Sequence, residues 1–390
     1  MTTDRKLPGG WRWVRFGDVV HEVKTTTKNP EADGITRVVG LEHLDFESLP
    51  LRRWNELADL GDGTSFTRVF QAGQVLFGKR RAYQRKVAVA DFDGICSSDI
   101  LVFEASSDVL LPQFLPYLVQ SDGFFNHALG TSAGSLSPRT KFKELAKYEF
   151  PLPPSIEQQR IVDVLKAAER TSILYRSIAG AINNYRDAVA AEIWRTSVDE
   201  SVLSDLAEVT VGIVVKPAAL YVENGGVPTL RSLNVLPGRL VEDDLVHISS
   251  DGHLSHGKSK LIAGDVVVVR TGRPGDAAVI PDDGVQRNAI DLLIVRCGPE
   301  LRPEYLMCYL NSALGRSQML GRSAGTAQQH LNAGQIKQVR IPVVNPQVQD
   351  QVVRLVESSQ SLASQVSATE SFLESTRRSL REHLLLGAAP

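Results

Sequence analysis

The amino-acid sequence repeats itself at a nearly constant shift of 191 residues. The segment Gly73-Gln74-Val75-Leu76 returns as Gly264-Asp265-Val266-Val267, and Pro112-Gln113-Phe114-Leu115 returns as Pro303-Glu304-Tyr305-Leu306. A shift held along most of each half predicts two copies of one folding unit, each far longer than a solenoid repeat. Two similar units in tandem favour a protein that meets two similar, or two-part, targets.

Length and composition agree with two soluble units. The chain has 390 residues, of which 43% are hydrophobic and 23% are charged, as is usual for globular domains. Cys96, Cys297 and Cys308 form no CxxC pair, and with no signal peptide they are expected to be reduced thiols in a cytoplasmic protein. Apolar runs such as 266–269 are too short to cross a bilayer.

The charge balance excludes a generally basic nucleic-acid binder. Lys and Arg number 43 against 45 Asp and Glu, which leaves a formal net charge of −2. Any binding to nucleic acid must therefore come from local basic patches.

Each copy has a β-prone body followed by helical segments. Short β-prone runs separated by Gly and Asp turns occur in corresponding places of the two copies, at 74–77, 86–90 and 100–103, and again at 265–270, 277–280 and 291–295. A helical stretch follows each set, at 112–120 and 303–311. A serine- and glycine-rich loop and a strand ending in Pro151 or Pro342 complete each copy.

Long helices are predicted after these prolines. Pro153-Pro154-Ser155 precedes Glu157-Gln158-Gln159-Arg160, a plausible helix start, and apolar residues then recur every three or four positions to Ile193. The second copy carries a matching seam from Leu355 to Leu384. A stripe of this length favours packing of the two helices on each other; the alternative is that each helix packs on its own domain. Helix 156–195 would span about 60 Å.

Signatures of catalysis are missing. The sequence has no GxxxxGK[ST] loop, no GxGxxG after a strand and no GxSxG elbow. Asn29-Pro30 and Asn345-Pro346 lack the aromatic residue of an amino-methyltransferase motif, and His253 and His256 have no third metal ligand nearby in sequence. These absences favour a non-catalytic binding protein without a metal.

A basic cluster follows the predicted strand at 74–77. It contains Lys79, Arg80, Arg81, Tyr83, Arg85 and Lys86, and the corresponding place in copy two contains Arg270, Thr271 and Arg273. Lysine and arginine attract phosphate oxygens, and arginine can pair with a guanine edge through two hydrogen bonds. We interpret these loops as DNA-binding; the alternative is an ordinary solvated loop. The same place with different residues is what two different target sequences would demand.

A second loop in each copy is also a DNA-binding candidate. The first copy offers Ser137, Arg139, Thr140, Lys141 and Lys143, and the second offers Gln328, Gln329 and His330. Glutamine amides suit adenine, whereas arginine and lysine suit guanine or phosphate. Weaker candidates, which polar loops commonly mimic, are Arg231, Asn234, His256, Lys258 and Lys260.

The chain resembles the specificity subunits of type I DNA restriction–modification systems. The resemblance rests on the two-copy organisation and on the segment from Phe150-Pro151 through Glu157-Gln158-Gln159-Arg160 into the long helix. It also rests on the opening at 203–209, which is similar to that at 16–23. In copy two, Gln349 aligns with Gln158.

The resemblance implies an α+β fold with two β-rich target-recognition domains separated by two long helices in an antiparallel coiled coil. The domains are then 1–154 and 197–345, and the spacer helices are 155–196 and 346–390. Each domain would read one half of an asymmetric, bipartite site on double-stranded DNA, and the helices would set the gap. Similar proteins are not enzymes themselves. They work with two methyltransferase subunits that use S-adenosylmethionine and two restriction subunits that use ATP and Mg²⁺, so this chain is expected to bind no cofactor and no membrane.

Other interpretations remain open at this point. The chain could be the targeting subunit of a modification-only or type IIB-like system, which nothing in the sequence distinguishes. A coiled-coil scaffold whose β bodies bind protein is a second alternative, and the basic loops would then be dispensable. An enzyme in its own right would require methylation or cleavage of DNA by the purified chain alone, which we expect to be absent.

Overall fold

The chain divides into two compact units. The structure, a computed structural model, describes residues 7–60, 64–106, 108–197, 199–321 and 330–386. The first unit comprises Met1–Tyr175 with Ala368–Pro390, and the second comprises Arg176–Ser367. Each unit therefore holds one copy of the sequence repeat together with part of each of two long helices.

The first unit is built from short strands and helices, numbered in chain order. Its strands within the described residues are β1 (Arg12–Arg15), β2 (Val20–Val23), β3 (Arg37–Val39), β4 (Asn55–Glu56), β5 (Arg68–Phe70), β6 (Val75–Gly78), β7 (Val87–Val89), β8 (Gly94–Cys96), β9 (Ile100–Ala105) and β10 (Glu149–Leu152). Its helices are α1 (Phe16–Val19), α2 (Leu115–Gln120), α3 (Asp122–Gly130), α4 (Phe142–Leu145) and the first part of α5 (Ser155–Thr196). Short 3-10 helices lie at Leu41–His43, Leu57–Leu60 and Ala82–Gln84.

Two sheets form the body of the first unit. In the described part of the chain their strand orders are β2-β9-β6-β7 and β4-β3-β8-β5, and β1 pairs with β10 separately. Strands β3 and β8 run parallel, while the other neighbouring pairs are antiparallel. The strands predicted at 74–77 and 100–103 are thus neighbours in one sheet.

Strand β6 is buried on both faces. Val75 and Phe77 belong to a core that includes α2 and α3, whereas Leu76 belongs to a second core shared with the other sheet. Successive side chains of a strand point to opposite faces, so a strand covered on both sides is apolar throughout. This explains the unbroken apolar run that made the strand predictable.

The second unit contains a matching set of elements. Its strands among the described residues are β11 (Glu200–Val202), β12 (Ala207–Val211), β13 (Val227–Leu230), β14 (Val235–Leu236), β15 (Arg239–Leu240), β16 (Val246–Ile248), β17 (Lys260–Leu261), β18 (Val266–Val269), β19 (Ala277–Val279), β20 (Arg287–Ala289), β21 (Leu292–Cys297) and β22 (Arg340–Pro342). Its helices are α6 (Leu203–Leu206), α7 (Ser250–Ser255), α8 (Pro303–Asn311), α9 (Ala313–Leu320), α10 (Ala333–Lys337) and the first part of α11 (Pro346–Leu385). Short 3-10 helices lie at Pro217–Leu220, Ser232–Asn234 and Gly257–Ser259.

The second unit repeats the topology of the first. Its sheets in the described residues have the orders β12-β21-β18-β19 and β16-β13-β20-β17, with β11 paired to β22 and a small β14-β15 hairpin. The parallel pair recurs as β13 and β20. Strand β18 alternates like β6, since Val266 and Val268 face one core and Val267 and Val269 face another. The predicted two-copy α+β fold is confirmed.

The two long helices contribute to both units. Leu165 of α5 shares a core with Leu385 of α11 in the first unit, and Trp194 of α5 shares a core with Val352 of α11 in the second. The early part of α5 thus meets the late part of α11, and the reverse holds in the other unit. Helix α11 begins at Pro346, a position where a missing backbone N–H costs little.

Candidate nucleic-acid interface

The basic loop of the first unit has a constrained backbone. It follows β6 and contains the 3-10 helix Ala82–Gln84, which is flanked by Arg81 with φ 53° and Arg85 with φ 47°. Left-handed backbone costs a non-glycine residue about 1–2 kcal/mol. Such a conformation persists only where surrounding contacts hold it, so the loop has one defined shape.

Asp99 joins the two predicted loops of the first unit. Its carboxylate accepts hydrogen bonds from Arg139 Nε at 2.7 Å and from Arg80 at 3.5 Å. The hydrogen bond from Arg139 is the main cause that holds the pKa of Asp99 below its ordinary value. Arg80 also donates to Ser137 Oγ at 3.2 Å. We call this arrangement the Asp99 clamp, comprising Asp99, Arg80, Arg139 and Ser137.

Backbone hydrogen bonds reinforce the clamp. Thr140 N donates to Lys79 O at 3.1 Å, and Arg81 N donates to Pro138 O at 2.8 Å. Two segments about 60 positions apart in the sequence therefore form one surface. The structure brings together most of the residues that the two sequence patterns predicted separately.

The predicted side chains of the first unit differ in their access to solvent. Arg139, Lys141, Lys143 and Tyr83 are exposed, and Arg80 is partly exposed. Thr140 is buried.

Arg85 and Lys86 turn toward the protein. The Arg85 side chain is 12% exposed and forms ion pairs with Glu47 at 2.5 Å and Asp122 at 2.8 Å. Its guanidinium also lies over the Phe125 ring, 4.5 Å from the centroid. Lys86 Nζ donates to Leu41 O at 2.6 Å. Both side chains are therefore better placed to hold the loop than to reach a ligand.

The second unit has an equivalent clamp on Asp291. Arg270 donates to the Asp291 carboxylate at 2.7 Å, and Thr271 donates to it at 3.2 Å. Arg270 also donates to His330 Nε2 at 2.9 Å. Leu331 N donates to Arg270 O at 2.9 Å, which repeats the Thr140 to Lys79 bond of the first unit. We call Asp291, Arg270, Thr271 and His330 the Asp291 clamp.

The remaining predicted residues of these loops have different surroundings. Arg273 is exposed and lies 3.5 Å from Asp276. Gln328 and Gln329 lie outside the described residues, so the structure does not place them.

The weaker candidates of the second unit lie apart from the clamp residues in sequence. Asn234 is buried and donates to Val241 O and Asp243 O, so it shapes its own loop. Arg231 pairs with Asp244 at 3.3 Å.

Two of the weaker candidates, His256 and Lys258, line an open groove in the second unit. The groove has a volume of about 380 Å³ and is also lined by 211–215. His256 Nδ1 hydrogen-bonds Gly252 O at 2.9 Å, and Lys258 is exposed. Lys260 is partly exposed in β17.

Sequence reasoning missed the two aspartates. Asp99 and Asp291 are the residues immediately before the apolar strands β9 and β21, 192 positions apart, within one position of the repeat shift. An aspartate directly before the same strand in both copies could have been noticed in the sequence, but a search for basic DNA-binding residues does not consider acidic ones. Within the described residues, no group of three or more His, Cys, Asp and Glu side chains is placed to hold a metal ion, and no helix is long and apolar enough to cross a membrane.

Comparison with known proteins finds a family match in the first half of the chain. Residues 8–184 match the family model described as type I restriction modification DNA specificity domain. The chain is 27% identical over 194 residues to the type I restriction enzyme EcoDI specificity subunit of Escherichia coli, a match covering 48% of this chain and 42% of that protein. It is 21% identical over 278 residues to the EcoBI specificity subunit of Escherichia coli, covering 60% and 58%. The matches thus span about half the length of these curated relatives.

Solved structures share the fold over nearly the whole chain. A chain of a type I R-M system aligns with a TM-score of 0.70 at 19% identity, covering 99% of this chain and 100% of that chain. The HsdS subunit from Thermoanaerobacter tengcongensis aligns with a TM-score of 0.52 at 21% identity, covering 99% of both. The type I S subunit from M. genitalium gives a TM-score of 0.53 at 13% identity, covering 99% and 98%. Residues 8–184 therefore match a type I DNA specificity domain, and the chain as a whole shares the fold of these solved structures.

Proposed function

We propose that this chain is the DNA sequence-recognition subunit of a type I restriction–modification complex. Each unit reads one half of a bipartite, asymmetric site on double-stranded DNA. The family match of residues 8–184 and the fold likeness along the chain support this role.

One observation carries the proposal. In the first unit Asp99 binds Arg80 and Arg139, which come from two separate loops. In the second unit Asp291 binds Arg270, and Arg270 in turn binds His330 of the other loop. The position is shared, but the side chains differ: arginines at Arg80 and Arg139 in one unit, Arg270 with His330 in the other. Two domains that recognise different half-sites need the same loop framework with different side chains at the contact surface.

The chemistry of the exposed groups suits DNA. Lys141 and Lys143 are exposed cations that can contact phosphates and set the register. The guanidinium groups of the partly exposed Arg80 and the exposed Arg139 can pair with guanine. In the second unit we assign the same tasks to Arg273, Thr271 and His330, with Gln328 and Gln329 as proposed adenine readers.

The catalytic work belongs to partner proteins in this proposal. Two methyltransferase subunits carry S-adenosylmethionine, two restriction subunits carry ATP and Mg²⁺, and this chain is not an enzyme. The long helices expose large apolar side chains, including Tyr185 at 66% and Phe372 at 68%, which would suit a protein partner. Free cysteines accord with a cytoplasmic location.

The spacer role follows from the helix length. Helix α5 has 42 residues, which corresponds to about 60 Å at ~1.5 Å per residue. A stiff element of this length would fix the gap between the two half-sites.

The test begins with the target itself. Adenine methylation is mapped in the host genome with and without this gene, and the bipartite motif that disappears defines the site. The chain is then purified with its methyltransferase subunits, and DNA binding is measured at physiological salt. Arg80→Ala with Arg139→Ala should weaken binding about tenfold or more, and changes in one half-site should lose their effect.

The matched variant in the second unit is Arg273→Ala with His330→Ala, which should act on the other half-site. Lys24→Ala, an exposed lysine elsewhere in the first unit, serves as the control. The proposal fails if no methylated motif depends on the gene, or if both loop variants bind the target as tightly as the wild type. Methylation or cleavage by the purified chain alone would also overturn it.

A further inference from the structure

An exposed leucine occupies the tip of the second basic loop. Leu136 is 89% exposed to solvent. It lies between Ala133 and Arg139, whose backbones exchange two hydrogen bonds of 3.1 and 2.9 Å. Single exposed apolar residues are common on proteins. What distinguishes Leu136 is that its loop is closed like a narrow hairpin and fixed at its base.

The base of this loop is held by the Asp99 clamp. Arg139 is tied to Asp99, and Arg80 donates to Ser137, the residue after Leu136. Gly134 has φ +115°, a conformation that favours glycine, and it allows the chain to turn ahead of the tip. Leu136 is thus presented at a defined position.

The surroundings of the tip are basic. Arg80 and Arg139 lie at its base, and Lys141 and Lys143 follow along the chain with exposed side chains. Asp99 neutralises one of these charges. A polyanion complements such a surface, so the partner that would cover Leu136 is DNA and not an apolar protein face.

We propose that Leu136 reads a thymine in the major groove through the 5-methyl group of the base. This inference rests on the proposed DNA-recognition function. A side chain at the tip of a narrow loop reaches base edges more readily in the major groove, about 12 Å wide, than in the minor groove, about 6 Å wide. On the base edges of the major groove, the apolar group available to a leucine is the thymine methyl.

The test removes the thymine methyl group from the DNA and, separately, truncates the leucine side chain of the protein. The complex of the chain with its methyltransferase subunits is bound to target duplexes in which each thymine is replaced in turn by deoxyuridine. At one position the wild type should bind roughly fourfold more weakly, as expected for one buried methyl group of about 0.8 kcal/mol. Leu136→Ala should bind the thymine and uracil duplexes equally, about as tightly as the wild type binds uracil. Leu136→Met, which keeps an apolar side chain, should retain the preference for thymine.

The control truncates an exposed apolar residue elsewhere. Ile262 is 53% exposed and precedes β18, at the end of that strand opposite Arg270, so Ile262→Ala should keep the wild-type preference for thymine.

Other results would overturn the inference. A target half-site without thymine, or equal wild-type affinity for every uracil duplex, excludes the methyl contact. Duplex bending lost in Leu136→Ala, without a uracil effect, would show a wedge between base pairs instead. Weaker association of Leu136→Ala with the methyltransferase subunits in the absence of DNA would show a protein contact. If the wild-type complex does not bind the methylated motif at all, the proposed function itself fails.

Discussion

Gln158 and Gln349, 191 positions apart, make the same three hydrogen bonds at the starts of the two long helices. Gln158 Oε1 accepts from Leu111 N at 2.8 Å, and its Nε2 donates to Val109 O at 3.0 Å and Pro153 O at 2.9 Å. The side chain is 1% exposed. One buried amide thus ties helix α5 to the segment that precedes α2 and to the residue that follows β10.

Gln349 repeats the pattern with backbone groups 191 positions later. Its partners are Arg302 N at 2.9 Å, Glu300 O at 2.8 Å and Val344 O at 3.0 Å. The side chain is 2% exposed. Although the sequence around Gln349 departs from the Glu-Gln-Gln-Arg pattern, the glutamine that makes the bonds is kept, and so is the geometry.

We expect Gln158→Ala and Gln349→Ala each to lower the free energy of unfolding by about 1–3 kcal/mol. Truncation removes the partner of one backbone N–H and of two carbonyls, all at least partly buried, so their desolvation is less well compensated. Urea unfolding measures the change, and hydrogen exchange at 109–111 or 300–302 should accelerate in the corresponding variant. Gln159→Ala is the control, because Gln159 is exposed and its amide donates to the exposed Asp163 on the same helix. A Gln158→Ala protein as stable as this control would contradict the tether.

The fold was predictable where the physical signal is local or repeated. The strand at Val75–Gly78 is apolar because both faces are covered, and the constant shift revealed two copies without any knowledge of contacts. Two of the three partners of Gln158 lie almost 50 positions away, and all three are backbone groups, which carry no sequence signature.

The site was predictable only in part for the same reason. The cluster at 79–86 was located from its charge, but charge does not tell which cations face inward. Arg85 pairs with Glu47 and Asp122, which lie almost 40 positions before and after it in sequence. The aspartates of the clamps went unnoticed because a clamp is defined by distances between loops.

Arg85→Ala should mainly lower the stability of the protein, whereas Arg80→Ala should mainly weaken DNA binding. Arg85→Ala removes a cation from Glu47 and Asp122 and a donor from Gln120 O, although Arg378 still pairs with both carboxylates. We therefore expect a loss of about 1.5–3 kcal/mol, as for hydrogen bonds to charged groups. Arg80 is 38% exposed, so Arg80→Ala should change stability by less than about 1 kcal/mol while weakening target binding. Thermal unfolding and binding assays on the same preparations measure both effects. Equal loss of stability in the two variants would show that Arg80 also holds the loop.

Asp99→Asn should lower specificity without lowering the general affinity for DNA. The substitution releases Arg80 and Arg139 from their ion pairs and adds one positive charge, so binding to unrelated DNA should rise slightly while binding to the target falls. We expect the ratio of target to unrelated affinity to fall about tenfold, the value of one misplaced base contact of about 1.4 kcal/mol. Asp91→Asn, on an exposed turn of the same unit, adds the same charge and should leave the ratio unchanged.

The clamp should also have a defined pH dependence. Because the Arg139 hydrogen bond lowers the pKa of Asp99, its contribution to stability is present above the ordinary carboxyl pKa and is lost as pH falls through the lowered value. Between pH 5 and pH 8 Asp99 stays ionised, because this range lies above the ordinary aspartate pKa of about 4. Titration of Asp99 should therefore not change the target affinity in this range. If target affinity falls between pH 8 and pH 5 in the wild type but not in Asp99→Asn, this assignment of the ion pair is wrong.

Glu169→Gln should stabilise the first unit increasingly as pH rises. Glu169 of α5 lies beside Tyr117, and burial raises its pKa above the ordinary value, although Arg377 of α11 opposes the shift. A raised pKa means that the folded state favours the protonated carboxyl, so this favourable contribution is complete below the ordinary carboxyl pKa and is lost as pH rises through the raised one. Glutamine keeps the uncharged shape, and Arg377 retains its ion pair with Glu374 at 2.7 Å. The stability of Glu169→Gln should thus match that of the wild type at low pH and exceed it at pH 8 in urea unfolding. Glu192→Gln, at an exposed position of the same helix, should show no such divergence, and parallel curves for Glu169→Gln and the wild type would show that the carboxylate is solvated.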